Sequence, residues 1–116
     1  MSGNINFNGW INDDGSENYK CRAWVNFNGT GTVAIRAAGN VSSITDNGTG
    51  NYTVNFTTAM VDANYSAQVC SDAFANNNGF NRFDSTQYLT TSVVVLHFES
   101  GGALTDAVMM TAAIFR

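Results

Sequence analysis

The stretch "NYTVNFTT", residues 51–58, alternates apolar and polar side chains at a period of two. Tyr52, Val54 and Phe56 fall on one side, and Thr53, Asn55 and Thr57 on the other. Successive side chains of a strand point to opposite faces, so this is the pattern of a half-buried strand. "YSAQVC", residues 65–70, repeats it with Tyr65, Ala67 and Val69 on one face. Helical periodicity is nearly absent. "LTTSVVVLHF", residues 89–98, and "AVMMTAAIF", residues 107–115, are apolar on both faces. Such strands are covered twice, by a core on one side and by a second sheet or subunit on the other.

The turns agree with the strands. Proline is absent, and asparagine makes up about one residue in seven. Asn and Gly tolerate turn dihedrals, while Thr suits a pleated surface. "NGTG" occurs at 28–31 and again at 47–50. Read as the three-residue loop Gly29-Thr30-Gly31, the first copy pairs Asn28 with Thr32, Phe27 with Val33, and Val25 with Ile35. That register gathers the apolar residues on one face, and burial sets register. Trp24 then stands opposite Arg36, on the other face. The second copy, with Gly48-Thr49-Gly50 as loop, pairs Ile44 with Val54. Tight turns near every ten residues predict an antiparallel β-sandwich of about seven or eight strands. Its core should include Val25, Phe27, Val33, Ile35, Val54, Phe56, Val69, Val95 and Phe115. A chain of 116 residues fits one domain, here 21–116, preceded by a polar, partly ordered segment over 1–20.

Charge excludes some partners. Charged residues are 12% of the chain, the net charge is −4, and only five residues are basic. A nucleic-acid binder normally carries a basic footprint, so no nucleic-acid partner is expected. No run reaches the roughly 18 apolar residues of a membrane span, so membrane insertion is not expected. "MSGNINFNGW" has neither a basic nor an apolar leader region, so export by the general route is not expected. Cys21 and Cys70 read as two small, partly buried thiols, with a single bridge as the alternative.

No catalytic constellation stands out, and the chain is not expected to be an enzyme. His97, the one histidine, lies between Leu96 and Phe98 and reads as a packed or hydrogen-bonded sheet residue. No GxSxG motif is present, and the nine acidic residues show no paired spacing. "NDDGSEN" at 12–18 resembles a calcium loop in composition alone, without its ligand spacing, and no metal or cofactor is expected. The many N-x-[S/T] matches follow from an Asn- and Thr-rich chain.

Binding is the stronger reading. Residues 71–88, "SDAFANNNGFNRFDSTQY", form the longest segment without clean alternation, and its centre reads as a surface loop. Phe74, Phe80, Phe83 and Tyr88 are interleaved with Asn76, Asn77, Asn78, Asn81 and Arg82. Aromatic faces stack on apolar C–H surfaces, and amides both donate and accept hydrogen bonds. That pairing suits a sugar.

Residues 21–67 also carry a resemblance. "AWVNFNGTGTVAIR", "NVSSITDNGTG", "YTVNFTTAM" and "DANY" resemble a segment near the C-terminus of tailed-bacteriophage tail fibre and related virion proteins. The closing "AAIFR" is similar to the way such chains end. Val61 departs from the proline common before "DANY". The resemblance implies a homotrimeric distal module, joined to the rest of a tail fibre in the virion and assembled in the host cytoplasm. It implies contact with a host cell-surface polysaccharide or outer-membrane receptor, and the composition of 71–88 assigns that contact to the nine residues named above. Trp24, Arg36, Leu96, Phe98, Met110 and Ile114 are then the expected subunit contacts. A purely structural trimerisation module is the main alternative, and a polysaccharide depolymerase a more remote one.

Overall fold

A computed structural model of the chain describes residues 4–6, 9–16, 19–72 and 80–116. Its strands are β1 (Asn4–Asn6), β2 (Gly9–Ile11), β3 (Cys21–Asn28), β4 (Ala34–Gly39), β5 (Val41–Gly48), β6 (Asn51–Phe56), β7 (Ser66–Ser71), β8 (Phe80–Tyr88), β9 (Ser92–Phe98) and β10 (Met110–Phe115). β1 and β2 pair as a hairpin. The rest form two four-stranded sheets, β4-β3-β10-β7 and β5-β6-β9-β8. Every pairing is antiparallel. The fold is the expected all-β sandwich.

The period-two reading sets the core. Tyr52, Val54 and Phe56 of β6 are buried, with Val93 and Val95 of β9 behind them. Ala23, Val25 and Phe27 of β3 face them, beside Met110, Ala112 and Ile114 of β10. Phe27 meets Tyr52 edge-on, with ring centroids 5.3 Å apart. At the other end Tyr65 stacks on Tyr88 at 5.0 Å and meets Phe56 edge-on at 5.9 Å. Edge-on and offset aromatic pairs are the favoured geometries.

The first hairpin differs from its expected register. Phe27 pairs with Ile35 and Asn28 with Ala34, so the loop runs from Gly29 to Val33. The loop is held elsewhere instead of closing on itself. Gly29 N–H donates to Ala107 O at 2.9 Å, and the Asn28 side chain accepts from Thr30 N–H at 2.9 Å. A bulge between Asn26 and Phe27 then offsets the remainder, and Val25 pairs with Ala38 and Trp24 with Gly39. Ile35 is 37% exposed, because β4 is an edge strand uncovered from Ala34 to Ala38. Val33 and Val69 are partly buried against the core. Phe115 is also a correction. The parity that buries Met110, Ala112 and Ile114 turns it outward, 40% exposed. In the second hairpin Ile44 does pair with Val54, but Gly48 pairs with Asn51 and a bulge falls between Asp46 and Gly48.

The chain changes sheets at Asn40, the one non-glycine described residue with positive φ (53°). Its side-chain amide donates to Arg22 O and Thr58 O, both at 3.0 Å. Its Oδ1 accepts from Thr58 N–H at 2.7 Å. Asn tolerates this left-handed backbone better than bulkier residues, and here its side chain also satisfies three backbone groups.

Candidate functional site

The segment 71–88 is not one long loop. Phe80–Tyr88 is strand β8, paired with β9. Its alternation is hidden by a bulge: Phe83 pairs with Val95 and Tyr88 with Val93, so residues 84–87 stand against Val94 alone. The extra residues 84–87 turn back on themselves. Thr86 N–H and Oγ1 donate to Asp84 Oδ1 at 3.0 and 2.6 Å, and these bonds pull the Asp84 carboxyl below its usual range.

The nine residues expected to meet a receptor therefore separate. Phe74, Asn76, Asn77 and Asn78 lie outside the described residues. Phe83 and Tyr88 pack against the core, with ring centroids 5.8 Å apart, so their aromatic faces serve the fold. Asn81 turns to His97, its Oδ1 2.7 Å from Nδ1. Phe80 and Arg82 alone among the described five face outward. Phe80 is 48% exposed and stacks on Phe98, with centroids 4.9 Å apart and planes 10° from parallel. The Arg82 guanidinium carbon lies 4.8 Å from the Phe98 ring centre. Such a cation over an aromatic face is an attractive contact.

His97 is the residue whose meaning changes most. It is buried, as a packed sheet residue should be, but its hydrogen bonds bridge the two sheets. Nδ1 lies within reach of Asn81 Oδ1 on β8 and of Ser71 Oγ, 3.2 Å away, on β7. Ser71 and Asn81 stand on either side of residues 72–80, so one imidazole ties both feet of that run. Burial lowers the His97 pKa, while Asp72 and Asp106 raise it. At the first foot Asp72 N–H donates to Met109 O, and Asp72 Oδ1 accepts from Met109 N–H, each at 3.1 Å.

The six expected subunit contacts also divide. Met110 and Ile114 are 0% and 1% exposed within the single chain, because their parity on β10 points them into the sandwich. They are not available to a neighbour. Leu96 faces out but is already covered, between Asn51 and Arg82 in register. Phe98 is partly exposed on that same face. Trp24 and Arg36 lie on the other sheet. Arg36 does not stand opposite Trp24. It donates to Val108 O at 2.7 Å and to Asn26 Oδ1 at 3.2 Å. Trp24 stands opposite Gly39 and rests on it: a Cβ there would come within 2.8 Å of the indole Cδ1.

That leaning ring leaves a trough of about 370 Å³ on the outer face of its sheet. Trp24 and Asn26 on β3 form one wall, and Gln68 and Cys70 on β7 the other. Thr111 and Ala113 of β10 form the floor. Cys70 is thus an exposed free thiol, as is Cys21, and neither is the partly buried group expected. No local signal announces this trough, since it depends on a bulge two residues from Trp24. Further off, Asp14 accepts from Ser16 N–H and Oγ at 2.9 and 2.6 Å, so the acidic turn is closed on itself. No family model, no curated protein and no solved structure matches this chain.

Proposed function

We propose that this chain is a distal module of a phage tail fibre, which forms a homotrimer and binds a host-surface glycan through the run 72–80. The observation that carries the reading is the His97 tie across the feet of that run. The run crosses from the edge of one sheet, at β7, to the edge of the other, at β8. Flanking strands fixed to one another lower the cost of presenting a contact surface between them. Its sequence supplies three consecutive amides, Asn76, Asn77 and Asn78, beside aromatic residues. Amides suit neutral hydroxyl-rich ligands, and three weak sites on one assembly gain avidity. The resemblance of 21–67 to fibre proteins supplies the biological setting.

The test compares cell binding with assembly. Asn76→Ala and Asn78→Ala should reduce adsorption of the chain to host cells at least tenfold, while light scattering still gives a trimer. Unchanged adsorption would favour a trimerising cap with no receptor contact. New reducing ends on incubation with host polysaccharide would instead point to a depolymerase.

A further inference from the structure

Strand β6 buries Tyr52, Val54 and Phe56, so Asn51, Thr53 and Asn55 turn to the outer face of its sheet. Ser43 and Thr45 of β5 stand beside Asn55 and Thr53 in register. These side chains are bonded to one another across the strands. Asn55 Nδ2 donates to Ser43 Oγ at 3.1 Å and to Thr45 Oγ1 at 2.9 Å. Asn47 Nδ2 donates to Thr53 Oγ1 at 2.7 Å and to Asn51 Oδ1 at 3.2 Å.

These bonds decide what is left open. A hydroxyl has one proton to donate and two lone pairs, and an amide both donates and accepts. The hydroxyls of Ser43, Thr45 and Thr53 accept from amides and donate to no other described residue, so each keeps its proton for an outside acceptor. Asn47 and Asn55 use their N–H groups inside the network and keep Oδ1 as an acceptor. Asn51 is the reverse, with Oδ1 taken and Nδ2 open. The face thus presents donors and acceptors side by side, already held by its own bonds. Polar groups fixed in advance lose less freedom when a ligand binds. Asp46 pairs with Tyr52 and has the opposite parity, so no carboxylate joins the array.

An apolar stripe runs beside the array. Val94, Leu96 and Phe98 have the outward parity on β9, with Thr53 opposite Val94 and Asn51 opposite Leu96. Val94 and Phe98 are partly exposed, and Phe80 stacks on Phe98. Arg82 lies over the Phe98 ring, and its N–H groups meet no acceptor among the described residues. Sugar rings have the matching division, with C–H surface on their faces and hydroxyls that donate and accept around their edges. A protein partner would need an apolar centre without the polar ladder, and a nucleic acid would need a basic one. We infer that this outer face binds an uncharged polysaccharide laid along β9. Its hydroxyls meet Asn51, Thr53 and Asn55, and its C–H surface meets Val94 and the Phe80–Phe98 stack. The inference rests on the glycan-binding reading and extends it, since the run 72–80 enters β8 at Phe80, the aromatic end of this face.

Retention on immobilised polymers tests the surface. Dextran, mannan and galactan serve as uncharged probes, and polygalacturonate as the charged one. The wild-type chain should be held by at least one uncharged polymer, and no more tightly by polygalacturonate. Thr53→Val with Asn55→Ala removes one open donor and one open acceptor and should weaken that binding about tenfold or more. Thr111→Val, on the outer face of the other sheet, should bind as wild type. If the Thr53/Asn55 variant also binds as wild type, while Asn76→Ala with Asn78→Ala does not, the inference is overturned and the receptor reading stands. Stronger retention on polygalacturonate overturns it too, by pointing to a charged ligand. A wild-type chain that adsorbs to host cells but is held by none of the four polymers overturns the sugar chemistry of both readings. Should the double variant lose its folded circular-dichroism spectrum, Thr53→Val alone takes its place, with a smaller loss expected and the same outcomes deciding.

Discussion

The Tyr52 hydroxyl lies 2.8 Å from Asp106 Oδ1, and that same carboxylate oxygen accepts the Gly50 N–H at 2.8 Å. Tyr52 also reaches Gly29 O at 2.8 Å. Gly29 belongs to the first NGTG turn and Gly50 to the second. Two turns that look like independent local motifs are thus tied at one end of the sandwich by a phenol and a carboxylate. Burial raises the Tyr52 pKa far above its ordinary value, and Asp106 adds to the shift, so the hydroxyl stays a donor at any working pH. Tyr52→Phe should keep the ring packing but remove the one phenol proton that Gly29 O and Asp106 Oδ1 share, costing about 1–3 kcal/mol. Urea unfolding at unchanged slope would measure this as a lowered midpoint.

Gly50 has φ +65°, and a Cβ there would lie 2.6 Å from both His97 O and Thr105 O. Both are backbone atoms and cannot swing aside. Gly50→Ala should therefore destabilise by at least about 2 kcal/mol, combining dihedral strain with overlap. A melting temperature within a degree or two of wild type would contradict this.

Asn40 separates two effects in one residue. Asn40→Gly keeps the left-handed backbone easy but removes the side-chain bonds to Arg22, Thr58 N–H and Thr58 O. Asn40→Ala removes those bonds and strains the backbone as well. The alanine variant should be less stable than the glycine variant by about 1 kcal/mol, and both less stable than wild type. Equal stabilities of the two variants would show that the dihedral carries no cost.

Gly39→Ala tests how Trp24 rests on the neighbouring strand. The added methyl meets the indole of Trp24, which must move toward Ala113 and narrow the trough. Chain stability should fall by less than about 1 kcal/mol, since the ring is 45% exposed and free to move. A larger fall in the urea midpoint would contradict this.

His97 and Asp62 contribute to the acid limb of stability in separate pH windows. The His97 pKa is lowered in the folded state, chiefly by burial. The unfolded chain then binds the proton first, so the contribution is full above about pH 6.5 and declines as pH falls below it. Asp62 is held near 2, first by its hydrogen bonds from Arg116 and then by Asn64 N–H. Its contribution is present above the ordinary carboxylate range and is lost as pH falls from about 4 toward 2. His97→Asn should flatten the decline near pH 6, and Arg116→Gln should flatten the part below pH 4. Thermal melts across pH 2–8 separate the two limbs.

What this sequence determined by itself is the class of fold and most of its interior. Alternation in "NYTVNFTT" and "YSAQVC" placed Tyr52, Val54, Phe56, Tyr65, Ala67 and Val69 correctly, because a strand leaves a side chain only two faces. What tertiary structure decided is everything that depends on offset. A longer first loop and a bulge beside Asn26 together moved Trp24 from Arg36 to Gly39, and another bulge hid strand β8 inside an apparent loop. Bulges change register by one or a few residues without altering composition, so no local pattern announces them. Strands apolar on both faces were equally silent, since parity alone cannot say whether Met110 or Phe115 turns inward. That choice belongs to the facing sheet. Likewise His97 lies far along the chain from Ser71, and only the sandwich brings them within a hydrogen bond.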